Sequence, residues 1–368
     1  MTPDNGPVVL PGGREEEDLI RQAALVPAER RRDGLDGLIL GLDSVIISTE
    51  PGRASAAAAG LIRTTGHACM EAWRTGNAEG YALGLLGSAS IIVRSRGGGE
   101  NPFRDVNRAQ LTASLPDTRL ETFVFETTDI SSYVRLQQGR GVRFLAPAPL
   151  ETSSCSFIQT APSRWTGNSI GLVQWKGSRR SWLPAGARSI ASLPEKPGSP
   201  YLRNIGVLDH AATRVRAQDR TAAILEFLSL TDYHYDFGVY VKSLNSITSV
   251  ARREEGDFAM VFTSGIAPYV SDETSGPTEK FIRNYGTRVH HMAFRTEQIE
   301  GTVDRLKQDG MAFLLDLVGS EDEGLKQIFS VPSENTLLVS EYIHRYGGFD
   351  GFFTRSNVEK LTEATGRQ

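Results

Sequence analysis

The sequence predicts a mixed α+β fold made of four strand–helix–three-strand (βαβββ) modules, arranged as two similar halves. The main observation is an internal repeat, in which residues 119–145 and 288–314 match without a gap, so that Phe125 aligns with Phe294. In both stretches an apolar strand precedes a helical segment, and a glycine ends that segment before the next strand. A repeat of this kind indicates a duplicated architecture.

Composition agrees with a two-domain enzyme. The chain has 368 residues, which suits two domains of ~150 residues plus tails. Its 40 Lys plus Arg against 44 Asp plus Glu give no indication of binding to nucleic acid or to a membrane surface. The two cysteines imply no disulfide framework, and no apolar run approaches the ~20 residues that a membrane span requires. We therefore expect a soluble, cytoplasmic protein.

Changes in composition along the chain predict its segments. The stretch between the two halves is rich in Pro, Gly and Ser, which is typical of a linker. The predicted segments are a polar N-terminal arm (1–33) with a short helix near 14–25, an N-terminal domain (34–180), a linker (181–202), and a C-terminal domain (203–368) that ends in a helix (350–366).

The C-terminal half shows the module order twice. Runs of β-branched and apolar residues alternate with segments whose apolar positions recur at helical spacing. The predicted elements are a strand at 202–215, a helix at 220–228 and strands at 233–242, 246–252 and 258–263, then a strand at 287–295, a helix at 298–309 and strands near 311–316, 324–330 and 336–343.

The two halves differ at three equivalent strand positions. Where the first half has Ser44, the second has His210, and where the first has Thr122, the second has His291. Glu341 lies on the last strand of the second half, whose counterpart in the first half carries no acid. This pattern is typical of a duplication in which only one copy keeps a site.

Two histidines and one carboxylate form the facial triad of non-haem Fe(II) oxygenases. Such a triad leaves coordination positions open for a chelating substrate and O2. Imidazole and carboxylate ligands suit Fe(II), and the absence of thiolate ligands argues against a structural zinc site. The sequence therefore predicts an Fe(II) site at His210, His291 and Glu341.

Motifs around these three residues extend the prediction to a family. They are Leu208-Asp209-His210-Ala211, Val289-His290-His291-Met292-Ala293-Phe294, Gly324-Leu325-Lys326-Gln327-Ile328-Phe329-Ser330, and Glu341-Tyr342-Ile343-His344-Arg345 followed by Gly351-Phe352-Phe353. Over roughly residues 203–366 the chain resembles the 4-hydroxyphenylpyruvate dioxygenase family, which includes 4-hydroxymandelate synthase and belongs to the vicinal oxygen chelate (glyoxalase-like) superfamily.

The resemblance implies that pairs of modules close into two half-barrels, with the metal site in the C-terminal one and none in the N-terminal one. It also implies a 2-oxo acid substrate, which is oxidatively decarboxylated with O2 and is itself oxygenated, and a lid formed by the helix at 350–366. The substrate-side residues that it implies are Ser249, Ser264, Gln327, Phe329, Phe352 and Val358.

Three departures from the family pattern concern the substrate. Ser264 begins a stretch in which the family usually has Asn-Glu-Pro, and Val358 stands where a second lid phenylalanine is usual. His290 replaces a usual glutamine, and strand alternation would point it away from a metal held by His291. We therefore expect a 2-oxo acid other than 4-hydroxyphenylpyruvate, whose identity the sequence leaves open.

Two alternatives stay open at this stage. Extradiol ring-cleaving dioxygenases have the same four-module layout and the same triad, but they act on catechols and normally carry further acid–base histidines. A non-enzymatic protein of this fold that binds a small molecule is the second alternative, although such proteins tend to lose the triad. The expected partners are a small-molecule substrate and O2, and homo-oligomer formation is left open.

Overall fold

The computed structural model describes residues 13–178 and 180–367. Residues 1–12 of the predicted N-terminal arm therefore lie outside the described residues. The short helix expected near 14–25 is α1, Arg14–Ala23. No helix in the described part of the chain is long and apolar enough to cross a membrane.

The N-terminal half is built around a nine-stranded sheet with strand order β6-β7-β8-β5-β1-β4-β3-β2-β9. Its elements, in chain order, are α1 (Arg14–Ala23), α2 (Val26–Arg32), β1 (Ile39–Thr49), α3 (Ala54–Thr64), β2 (Ala68–Thr75), β3 (Ala78–Gly84), β4 (Ser90–Ser95), β5 (Arg119–Thr127), α4 (Ile130–Gly139), β6 (Leu150–Glu151), β7 (Cys155–Gln159), β8 (Ser169–Trp175) and β9 (Arg188–Ser189).

The C-terminal half is built around an eight-stranded sheet with strand order β11-β12-β13-β10-β14-β17-β16-β15. Its elements are β10 (Ile205–Arg214), α5 (Arg220–Leu230), β11 (His234–Val241), β12 (Ser246–Arg252), β13 (Ala259–Ser264), α6 (Pro277–Tyr285), β14 (Arg288–Thr296), α7 (Ile299–Gln308), β15 (Val318–Ser320), β16 (Leu325–Phe329), β17 (Val339–Arg345) and α8 (Arg355–Ala364).

The two sheets have the same topology. The first strand of each half, β1 or β10, pairs antiparallel with β5 or β14 and parallel with β4 or β13. In each sheet two βαβββ modules join at this central antiparallel pair and curl into a half-barrel. The predicted α+β fold of four modules in two half-barrels is confirmed.

One predicted strand, near 311–316, is wrong. That segment is a loop with a single bridge from Phe313 to Ser330, and the short strand β15 follows it. Its apolar residues have another role, since Phe313 packs on the core between the halves and Leu314 packs beside Leu361 of α8. The hydrophobicity of the segment reflects packing on two sides rather than strand pairing.

The halves pack together through the sheet faces opposite to the one that carries His210. The largest core cluster includes Phe123 and Phe125 of β5 together with Ala211 of β10 and Phe294 of β14. Two hydrogen bonds also join the halves. The Tyr342 hydroxyl donates to the Thr64 carbonyl (2.8 Å), and the Tyr133 hydroxyl donates to the Leu230 carbonyl (2.6 Å). Each half-barrel therefore keeps its own concave face on the outer side.

Register shifts interrupt the pairing of β10 with β14 at three places, and two of them are β-bulges next to the candidate ligands. The pairing skips Asp209 in β10 and His290 in β14, each of which directly precedes one of the two candidate ligand histidines. The N-terminal half has bulges at the equivalent Asp43 and Glu121. A bulge inserts an extra residue and re-aims side chains, so the simple alternation of faces fails at these positions.

Candidate metal centre

His210, His291 and Glu341 come together on three adjacent strands, β10, β14 and β17. Each offers a ligand atom, and these atoms all lie within 4.8 Å of one another. Glu341 Oε2 is 3.1 Å from His210 Nε2 and 3.2 Å from His291 Nε2. The three side chains are buried, with His210 at 0%, His291 at 6% and Glu341 at 1% exposure.

The donor set fits a divalent transition metal such as Fe(II). Two ligand atoms at right angles on a metal with bonds of about 2.1 Å are about 3.0 Å apart, which is close to the two distances from Glu341 Oε2. His291 Nε2 is buried and makes no hydrogen bond, although buried polar atoms normally have a partner. Two imidazoles and one carboxylate without a thiolate match the donors of non-haem iron sites.

The bulge at Asp209 places its carboxylate beside His210. Asp209 Oδ1 lies 2.8 Å from His210 Nδ1, so Nδ1 carries the proton and donates it, which leaves Nε2 free for a cation. Burial opposes the charge of Asp209, but hydrogen bonds from His210 and Arg345 hold the pKa of its carboxyl well below the ordinary value. Burial likewise opposes protonation of His210, but Glu341 and Asp209 together raise its pKa above the ordinary value.

The bulge at His290 overturns the expectation that this residue points away from the site. His290 Nδ1 lies 2.8 Å from His291 Nδ1, and the two rings meet edge to face at 5.1 Å. When His291 Nε2 binds a cation, its Nδ1 carries the proton and donates to His290. Burial lowers the pKa of His291 well below the ordinary value, and the nearby His290 and His210 lower it further. His291 is therefore kept neutral, as a metal ligand must be.

Gln327 holds the third ligand from the next strand, β16. Its Nε2 donates to Glu341 Oε1 at 2.8 Å and to the Phe352 carbonyl at 2.8 Å. Its Oε1 accepts a hydrogen bond from Asn357 Nδ2 of α8 at 3.2 Å. These contacts engage one oxygen of Glu341 and leave the other directed at the histidines.

Two aromatic rings cover the three residues. The Phe352 ring lies 5.3 Å from the His210 ring, and the Phe329 ring lies 4.7 Å from the His291 ring. Val358 of α8 is 3% exposed and packs on Val239 of β11. Of the predicted substrate-side residues, Gln327 and Phe329 thus lie on the concave face with the triad, and Phe352 and Val358 pack over that face from the C-terminal segment.

The structure contradicts the substrate-side positions expected for Ser249 and Ser264. Ser249 points to the opposite face of β12, where its hydroxyl accepts a hydrogen bond from Arg220 of α5 (3.1 Å). Val261 of β13 packs against Phe352 on the concave side. Ser264 lies on the opposite face of the strand, together with Phe262 of the interdomain core. The pairing of β12 with β13 runs without a bulge, so alternation holds there.

The sequence reasoning missed two polar residues on the concave face. Ser246 and Thr248 lie on the same face of β12 as Val250, which packs against Phe352, and Ser249 lies on the other face. Both are buried. Alternation in the sequence separates the two faces of this strand, but only the position of the lid shows which face meets the site.

Comparisons with known proteins identify the fold. No protein-family model matches the sequence, and no curated protein sequence matches it. Among solved structures, a triple mutant of 4-hydroxymandelate synthase from Streptomyces coelicolor is similar over 90% of this chain and 99% of that chain, with a TM-score of 0.66 and 18% identity.

A second solved structure has the same architecture. It is a xylose isomerase-like TIM barrel/4-hydroxyphenylpyruvate dioxygenase fusion protein, similar over 95% of this chain and 57% of that chain, with a TM-score of 0.64 and 14% identity. The chain spans little more than half the length of that fusion protein. At these identities the likeness establishes the fold: the chain has the two-half-barrel vicinal oxygen chelate fold of the 4-hydroxyphenylpyruvate dioxygenase type.

Proposed function

We propose that this protein is an Fe(II)-dependent dioxygenase that oxidatively decarboxylates a 2-oxo acid with O2 and oxygenates the same substrate. The observation that carries the proposal is the buried convergence of His210, His291 and Glu341 on one concave sheet face. The names of the two similar structures, a 4-hydroxymandelate synthase and a 4-hydroxyphenylpyruvate dioxygenase fusion, support it.

The residues around the triad prepare it for a metal. When bound, iron supplies the activation of O2 next to a chelated substrate. Asp209 and His290 accept the Nδ1 protons of the two histidines, which keeps both Nε2 atoms available. Gln327 fixes the Glu341 carboxylate by holding its Oε1 atom. Preorganised ligands of this kind favour binding because little ordering remains to be done.

The aromatic cover excludes water. Phe329 and Phe352 lie over the two histidine rings, and the triad is nearly inaccessible to solvent. Exclusion of water protects a reactive site from side reactions. Because the site is closed, entry of a substrate requires movement of the segment around Phe352, which is the function expected of a lid.

The polar concave face suits a substrate different from 4-hydroxyphenylpyruvate. Gln327, Ser246 and Thr248 are the polar side chains that we assign to substrate contacts, whereas Ser249 and Ser264 are excluded by their orientation. Val358 packs on Val239 instead of offering an aromatic ring. The preferred substrate is therefore a 2-oxo acid that does not rely on a second lid phenylalanine.

An anaerobic titration tests the proposal. The protein is loaded with Fe(II), mixed with a panel of 2-oxo acids and catechols, and then exposed to O2. We expect a weak visible charge-transfer band with one or more 2-oxo acids, followed by matched O2 uptake and CO2 release. The Glu341→Ala variant serves as the control and should show neither.

The other outcomes identify the alternatives. Ring cleavage of a catechol without CO2 release would indicate an extradiol dioxygenase. Binding of a small molecule without O2 uptake would indicate a binding protein of the same fold. Efficient turnover of 4-hydroxyphenylpyruvate would support the proposed reaction class, but it would contradict the inference from Val358 that the substrate is a different 2-oxo acid.

A further inference from the structure

Two hydrogen-bond relays connect the candidate metal ligands to the lid, which comprises residues 350–366. We propose that Asp209 and Arg345 are positioning residues that couple metal occupancy to lid closure, and that Gln327 provides a second, parallel coupling. This inference rests on the metal centre of the proposed function and adds a thermodynamic link between that centre and the C-terminal segment.

The first relay runs from His210 through Asp209 to Arg345. Asp209 accepts the His210 Nδ1 proton, and its two carboxylate oxygens lie 2.7 and 2.9 Å from the Arg345 guanidinium nitrogens. Arg345 Nε donates to the Gly351 carbonyl at 2.9 Å, and its guanidinium lies 5.1 Å from the centre of the Phe352 ring. One arginine therefore holds the support of a ligand histidine and the first residues of the lid at the same time.

The second relay runs from Glu341 through Gln327. The Gln327 amide donates to Glu341 and to the Phe352 carbonyl and accepts from Asn357 of α8. The Phe352 ring also packs edge to face on the ring of His210. Both relays thus converge on Phe352.

The coupling follows from the burial of these groups. Gln327 is 0% exposed, and lid opening would remove the Phe352 carbonyl and the Asn357 amide that contact it. Opening would also remove the Gly351 carbonyl from Arg345, which holds the buried Asp209, so buried polar groups would lose hydrogen bonds on both relays. A cation that fixes Glu341 Oε2 and His210 Nε2 restricts the two side chains whose other atoms contact Gln327 and Asp209, where the two relays begin. The effect is reciprocal: if the bound metal shifts the lid toward its closed state by some factor, the closed lid raises the affinity for the metal by the same factor.

Arg295 offers a matched control. Its Nε donates to Asp209 Oδ2 at 2.8 Å, as Arg345 does, but its other contact is the Gly256 carbonyl at 2.7 Å, outside the lid. Arg295→Met and Arg345→Met each remove one arginine from Asp209. Only Arg345→Met disconnects Asp209 from Gly351 and Phe352.

Amide hydrogen exchange of the full-length protein, measured with and without Co²⁺, tests the coupling. Co²⁺ has a ligand preference close to that of Fe(II) and is stable in air. In the wild type we expect Co²⁺ to slow exchange in residues 350–366 by about tenfold, within the usual range of such couplings. In Arg345→Met the ratio of exchange with and without Co²⁺ should fall to about threefold, because the relay through Gln327 remains, and Co²⁺ affinity should weaken by about the factor that is lost. Arg295→Met should keep the tenfold ratio.

The ratio separates coupling from a merely structural role, because a structural role would speed exchange equally in both states and leave the ratio unchanged. Asn357→Ala breaks the second relay at α8 and provides an independent test if Arg345→Met fails to fold; its ratio should also fall. Wild-type protein that binds Co²⁺ without slower lid exchange would overturn the coupling and leave the proposed function standing. Wild-type protein that binds neither Co²⁺ nor Fe(II) would overturn both.

Discussion

The two half-barrels share a scaffold but fill their concave faces differently. In the N-terminal half, Ile46 and Trp73 pack there with Trp182 and Leu183. The Trp182 ring meets the Trp175 ring edge to face at 5.3 Å. In the C-terminal half the same face carries the triad under the lid. One face is a hydrophobic core, and the other carries the candidate metal centre.

Each half covers its concave face with the chain that follows its last long strand. The segment 181–202, which the sequence suggested as a linker, places Trp182 over the first sheet and adds β9 to its edge through pairing with β2. The segment after β17 places Phe352 and α8 over the second sheet. Segments in equivalent places thus cover a hydrophobic core in one copy and the candidate metal centre in the other, where we propose that the segment acts as a lid.

The difference also extends to the backbone at the ligand positions. Gly171 pairs with Val124 in β5 as Glu341 pairs with Ala293 in β14, so the two are equivalent. A Cβ atom added at Gly171 would lie 2.9 Å from Thr122 Cγ2 and 3.0 Å from Val124 Cγ2. A side chain at the position equivalent to Glu341 would therefore be crowded by its neighbours in the N-terminal half.

The largest expected effect comes from the ligand positions. His210→Ala, His291→Ala and Glu341→Ala should each reduce stoichiometric iron to near zero and abolish turnover, because three ligands are needed to hold the ion with open positions. Ser44→Ala and Thr122→Ala are the matched controls in the other half and should leave iron content unchanged. Metal analysis of the purified proteins measures this. A ligand variant that keeps full iron would remove that residue from the centre.

The bulge residues give the next effect. His290→Phe removes the acceptor for the His291 Nδ1 proton and should weaken Co²⁺ affinity by about 10- to 100-fold. His290→Gln supplies an amide oxygen in its place and should stay close to the wild type. Glu121→Gln, at the equivalent bulge, should leave affinity unchanged, since Glu121 pairs with Arg94 and Arg96. Equal affinities for the Phe and Gln variants would show that the bulge does not orient His291.

Gly171 tests whether the first half is sterically closed. Gly171→Ala should lower the free energy of unfolding by about 1–3 kcal/mol, because the added methyl overpacks the contact with Thr122 and Val124. Gly301→Ala is the control, since its Cβ meets nothing within 4 Å in helix α7 and should raise stability by up to about 1 kcal/mol. Denaturant titration of both variants decides the matter. An unaffected Gly171→Ala would mean that Thr122 and Val124 do not exclude a side chain at this position.

The last prediction concerns a buried histidine that lies far from the candidate metal ligands in the sequence. His67, in the N-terminal half, is 0% exposed and its Nε2 lies 3.0 Å from the Ala89 carbonyl. Burial lowers the pKa of His67 to about 4. The unfolded chain takes up a proton below about pH 6.5 and the folded chain does not, so stability falls as the pH drops from about 6.5 to 4.

The His67→Gln variant isolates this contribution, because a glutamine amide can donate to the same carbonyl without titrating. Between pH 7 and pH 4.5, the wild type should lose about 2 kcal/mol more unfolding free energy than the variant. Denaturant titrations at the two pH values measure the difference. Parallel losses in the two proteins would show that His67 is not held neutral by burial.

Much of the fold and the metal centre could be predicted because they depend on local patterns. The gap-free repeat predicted duplicated modules, and the changes at Ser44 and Thr122 pointed to His210 and His291. The same reasoning misplaced a strand near 311–316, because a run of apolar residues does not reveal whether it pairs or packs. It also assigned Ser249 and Ser264 to the substrate side, because motif resemblance does not fix which face of a strand meets the site.

The sequence by itself determined the duplicated α+β architecture and the identities of the three candidate ligands, since these depend on residue type and register along single strands. Only the tertiary structure decided that Asp209 and His290 support the two histidines, because a β-bulge depends on the pairing between strands. It also decided the role of Arg345, which lies 136 residues from Asp209 in the chain and meets it only when β10 and β17 fold around β14. Contacts between distant segments of this kind are set by packing, which no local pattern records.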